Sequence, residues 1–74
     1  MARVMTENQR MLTGYLIAVG CKKSTTVRII SQVWEADKTI KMLEFCRDNP
    51  NASEEELSNV ALRISLDFNN DNKV

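Results

Sequence analysis

Cys21 stands directly before Lys22 and Lys23, next to an expected helix start at Ser24. Nearby cations and a helix N-terminus both favour thiolate over thiol, so these neighbours could turn Cys21 into a nucleophile. Covalent chemistry also needs a base or an orienting group, and none is recognisable beside it. The chain has no histidine, the side chain that most readily exchanges protons near neutral pH. It also offers no glycine-rich phosphate loop and no recognisable metal-ligand cluster. Cys21 and Cys46, 25 positions apart, fit neither the familiar Cys/His zinc spacings nor a C-x-x-C redox pair. The residues therefore predict no enzymatic activity, no cofactor, no metal and no small-molecule substrate, with both cysteines reduced in a cytoplasmic setting.

A second candidate chemistry is cationic. Residues 1–34 carry Arg3, Arg10, Lys22, Lys23 and Arg28 against a lone Glu7, a net charge of +4, and residues 35–74 carry −4, so the formal net charge of zero hides two opposite halves. Such a division marks either a surface for an anionic partner or two surfaces that satisfy each other. No apolar run approaches the roughly 18 residues of a membrane span, so no membrane role is expected.

These side chains must be held by a very small frame. At 74 residues the chain is read as one domain over 1–74, near the lower size limit for folding alone. Helix starts are legible. Thr6-Glu7-Asn8-Gln9 fits the T-x-x-Q capping box and Ser53-Glu54-Glu55-Glu56 the S-x-x-E form. Period-3.6 stripes and the stops at Gly20 and Asn49-Pro50-Asn51 complete an all-α reading. Four short helices are expected at about 6–19, 24–34, 36–48 and 53–66, with Asp37 as the cap of the third and a disordered tail over 69–74. The expected core faces are Met11, Leu12, Tyr15, Leu16 and Val19; Val27, Ile30 and Trp34; Ala36, Ile40 and Leu43; and Leu57, Val60, Ala61, Ile64 and Phe68.

The stretch from Tyr15 to Ile29, YLIAVGCKKSTTVRI, resembles the heart of a helix-turn-helix DNA-binding domain. There a helix ends at a glycine and a basic, small-polar turn leads into a helix that enters the major groove. The resemblance implies that Lys22 and Lys23 meet phosphates, while Ser24, Thr25, Thr26 and Arg28 lie at or near the base edges. The turn from Gly20 to Val27 is one residue longer than that family's spacing, and Leu16 stands where a small alanine is usual. Residues 41–57 are similar to the opening of winged-helix domains, in which a helix ending in N-P-x-A-S precedes the supporting helix. No recognition helix or wing follows, and the region is acidic, which repels phosphate.

Several apolar residues miss their stripes: Ile17, Ile29, Met42, Leu62 and Leu66. Together they imply either helices buried on two sides or a patch that meets a partner. The leading expectation is thus a small helical protein–protein interaction module of bacterial or phage accessory type, homodimeric, with Leu62 and Leu66 central to the contact and Met42, Ile29 and Ile17 contributing. The alternative is a DNA-binding regulator using residues 22–28, with the low sequence pI of about 6.2 against it.

Overall fold

The computed structural model describes residues 4–71, with side chains through Leu66. It contains four helices: α1 Glu7–Ala18, α2 Lys23–Gln32, α3 Ala36–Asp48 and α4 Glu54–Asp71. α1 and α4 each pack on both α2 and α3. The all-α, four-helix expectation is met. α4 runs to Asp71, five residues past the expected end at 66 and through the first three positions of the expected disordered tail; residues 72–74 and the side chain of Phe68 lie outside the described part.

Both capping boxes close. The Thr6 hydroxyl accepts from the Gln9 amide N–H at 3.1 Å, while Gln9 Oε1 accepts from the Thr6 N–H at 2.9 Å. Ser53 and Glu56 repeat the exchange at 3.1 and 3.0 Å. These bonds satisfy backbone donors that a helix start leaves without partners. α1 ends in a Schellman turn: Gly20 at φ 96° donates to the Ile17 carbonyl and Cys21 to that of Leu16, both at 3.0 Å. Only glycine adopts that φ without strain from a Cβ.

The core unites Leu12 and Leu16 of α1, Ile29, Ile30 and Val33 at α2, Met42 and Cys46 of α3, and Leu57 and Ala61 of α4. Each large apolar side chain removed from water here contributes about 1.5–3 kcal/mol. Tyr15, Trp34, Val60 and Ile64 pack partly buried against this cluster. The α4 stripe is as expected from Leu57 to Ile64, α1 buries Leu12 and Leu16 but leaves Met11 and Val19 exposed, and α2 and α3 are rotated. In α2 the inner face is Thr25, Thr26, Ile29 and Ile30, leaving Val27 57% exposed; in α3 it is Thr39, Met42 and Cys46, leaving Ile40 42% exposed. The threonines make this burial tolerable. Thr26 Oγ1 donates to the Lys22 carbonyl at 3.0 Å, and Thr39 Oγ1 is shared between the carbonyls of Val33 and Glu35. With the hydroxyl satisfied by backbone, the rest of a threonine packs as a small apolar group.

Glu35, not Asp37, holds the N-cap position of α3, without a side-chain capping bond, and Asp37 sits in the first turn. The α2–α3 corner is also tied to α1. Gln9, only 4% exposed, donates from Nε2 to the Trp34 carbonyl at 2.8 Å while still completing the Thr6 box.

Candidate functional site

The basic segment begins at the Schellman turn and enters α2 without a side-chain cap of its own, since Lys22 offers no acceptor there. Glu54 of α4 supplies it. Its Oε2 accepts the Lys22 backbone N–H at 3.0 Å, and it also bonds the Thr25 side chain. One turn further, Arg28 Nη2 donates to Ser58 Oγ at 3.2 Å. The Glu54 carboxyl is held below its ordinary range by the Thr25 hydrogen bond first and the Lys22 backbone bond second, with the charges of Lys22 and Arg28 adding to them. Thus the acidic start of α4 and the basic start of α2 serve each other across an open groove of about 530 Å³.

That arrangement divides the six residues expected at DNA. Lys22, Lys23, Ser24 and Arg28 are exposed, whereas Thr25 and Thr26 are buried against the fold. Thr25 and Thr26 cannot reach base edges without unpacking α2, and a carboxylate occupies the helix start where a phosphate would bind. Cys21 is likewise not activated. Partial burial raises its thiol pKa and Glu54 raises it further.

Of the five residues expected at a partner, Ile29 and Met42 are fully buried core residues, so their assignment to a contact surface is corrected. They appear off-stripe only when the helices are read in the wrong phase. Ile17, Leu62 and Leu66 are exposed at 62%, 47% and 54%. Leu62 opens onto the α2/α4 groove among Arg28, Glu54 and Glu55, a strongly charged setting.

A surface absent from the sequence reading lies on the opposite pair of helices. Met11 and Ile40, both assigned to the core from periodicity, are half-exposed and line an α1/α3 groove of about 710 Å³ with Tyr15 and Leu43. Asn8, Glu44 and Arg47 also border it, and Cys46 reaches it from the core. Burial pushes the Tyr15 phenol up, with the two cysteines adding to the effect, and pushes the Cys46 thiol up to about 11. The groove floor therefore carries no charge at neutral pH. The available signal was spacing: Asn8, Met11 and Tyr15 in α1, and Ile40, Leu43 and Arg47 in α3, each follow an i, i+3, i+7 pattern distinct from the deep-core positions.

Among the described residues no group of three or more His, Cys, Asp or Glu side chains is placed to hold a metal, and no helix is long and apolar enough to cross a membrane. Comparison with family models, curated protein sequences and solved structures gives no match for this chain.

Proposed function

We propose that this protein is a non-enzymatic helical module that works by protein–protein contact, with the α1/α3 groove as its contact face. The observation that carries the reading is the groove itself: Met11 and Ile40 lie half in solvent above an uncharged floor formed by Tyr15, Leu43 and Cys46. Half-exposed apolar side chains set side by side on two helices are a surface that a partner can cover. The two charged halves also meet each other: Glu54 accepts the Lys22 backbone N–H and lies near the charges of Lys22 and Arg28, while Arg28 donates to Ser58.

The competing reading, DNA binding through Lys22, Lys23 and Arg28, draws on the exposure of those three side chains. A salt-dependent fluorescence-anisotropy titration with duplex DNA separates the two. The contact reading predicts no binding at low salt, or weak binding whose salt slope is the same in a Lys22→Ala/Lys23→Ala/Arg28→Ala variant. Tight binding with a slope that becomes shallower in that variant assigns phosphate contacts to the segment and replaces the contact reading with the regulator. In a parallel arm, a photo-crosslinking side chain at Ile40 should give a discrete protein adduct in cells, and one at Ile17 should not. Equal labelling from both positions removes the groove as the contact face.

A further inference from the structure

Met11 stands on the α1 wall of the contact groove with its thioether open to solvent. Among the described residues sulfur occurs at Met5, Met11, Cys21, Met42 and Cys46, and of these only Met11 is exposed, at 55%. Met42 is fully enclosed in the core, and Met5 packs partly buried against it. The neighbouring Leu12 takes the core position of this turn, which leaves Met11 on the shallower face it shares with Tyr15, one turn further on.

Sulfur side chains differ in what they need before they react with a hydroperoxide. A thiol must first lose its proton, whereas a thioether offers its lone pair without any proton loss. Burial keeps the Cys21 and Cys46 thiols protonated near neutral pH. Met42 can be reached only when the core opens. Exposure and chemistry therefore select the same atom, the sulfur of Met11. In the reaction an S–O bond forms as the O–O bond of the peroxide breaks. Hydroxide leaves and takes the proton from the transferred oxygen, becoming water. The sulfur gives up two electrons, the peroxide accepts them, and the product is methionine sulfoxide. Its oxygen is a polar acceptor set beside Ile40 and Leu43, and covering it with an apolar surface strips its hydration. The core itself is untouched, because Met11 is not part of it.

We infer that Met11 is an oxidation site through which a hydroperoxide turns the α1/α3 contact face from apolar to polar while the fold stays intact. This inference rests on the contact reading above and adds a means of regulating it.

Treatment of the full, folded chain with hydrogen peroxide at neutral pH tests it, followed by tryptic mass mapping, in which Met1, Met5, Met11 and Met42 fall in four separate peptides. Met11 should gain one oxygen ahead of Met5, Met42 and both thiols, and about tenfold or more faster than Met42. Circular dichroism should show the chain with oxidised Met11 still helical and melting within a few degrees of the untreated one. In cells given a pulse of peroxide before irradiation, the chain carrying the photo-crosslinker at Ile40 is then divided into crosslinked and free pools. The sulfoxide at Met11 should be depleted about fivefold or more in the crosslinked pool, since the polar oxygen and the apolar contact exclude each other. Oxidation of Met42 or of a thiol ahead of Met11 overturns the inference. So does unfolding when Met11 alone is oxidised, and so does equal sulfoxide content in the two pools. An Ile40 adduct missing before any peroxide is a separate failure, which removes the contact reading and the switch with it, whatever the mass map shows.

Discussion

Gln9 does two jobs with one side chain, and removing it should cost more than removing either alone. Its Oε1 accepts the Thr6 N–H at 2.9 Å and its Nε2 donates to the Trp34 carbonyl at 2.8 Å, across 25 residues of chain. Gln9→Ala abolishes both bonds. Each contributes about 1 kcal/mol net, and a carbonyl left short of a donor near a buried side chain adds roughly another 1 kcal/mol. The expected loss is about 2–3 kcal/mol. A domain of this size is held by something like 4–11 kcal/mol in all, so the change should lower Tm by roughly 10–20 °C. Thr6→Ala removes only the cap and should cost about 1 kcal/mol, or roughly 4–8 °C. Thermal and urea unfolding followed by circular dichroism measure both. A Gln9→Glu variant isolates the second bond, since its carboxylate can accept from Thr6 but cannot donate to Trp34. Facing a carbonyl oxygen, that carboxyl favours protonation in the folded state, which raises its folded pKa above the unfolded one. The unfolded chain then loses its proton first as pH rises, so this variant should be weakest at neutral pH and recover as pH falls. If Gln9→Ala melts no lower than Thr6→Ala, the bond to Trp34 contributes nothing and the account of the α2–α3 corner is wrong.

Three further outcomes are expected. The lowered pKa of Glu54 means that its contribution is present above the unfolded carboxyl pKa and is lost as pH falls through the folded value. Glu54→Gln should therefore flatten the acid side of the stability–pH curve, and an unchanged acid limb would show that the carboxylate does not hold α2. Thr39→Val keeps the shape but deletes the hydroxyl shared by the Val33 and Glu35 carbonyls, so it should cost about 1–2 kcal/mol in urea unfolding. No shift in midpoint would show that these bonds do nothing to hold the start of α3. For Cys46, burial first and Cys21 second raise the thiol from 9.0 to about 11. Stability should decline as pH rises from about 9 towards 11, because the unfolded thiol ionises first, and Cys46→Ala should lessen that decline, leaving the share of Tyr15 and Cys21, which are also raised. Iodoacetamide at neutral pH should meanwhile label the partly exposed Cys21 well before the buried Cys46.

What the chain discloses before folding depends on the distance over which each interaction acts. Both capping boxes, the glycine stop at Gly20 and the break at Asn49-Pro50-Asn51 are contacts within a few residues, and all are readable in order along the sequence. The phases of α2 and α3 are not. Val27 and Ile40 look like core because they are large and apolar, whereas Thr25, Thr26 and Thr39 look like surface because they are polar. Carbonyls four to six residues back satisfy the Thr26 and Thr39 hydroxyls, and the distant Glu54 carboxylate serves Thr25, so all three can be buried; which face turns inward is decided by packing between helices. The charge division into +4 and −4 halves foreshadows the link between α4 and the start of α2. It does not single out Glu54, whose partner Lys22 lies 32 residues away. The groove was hidden by a related error. Treating each helix as having one apolar stripe assigned Met11 and Ile40 to the core, although both are left at its edge on a second, shallower face.

Where the molecule meets its partner is read most directly by photo-crosslinking in cells from single positions across its surface. A crosslinker at Met11 or Ile40 should give the same discrete protein adduct, while one at Val27 or Leu62 should give none. Adducts from Val27 or Leu62 with none from Ile40 would contradict the α1/α3 groove as the contact face.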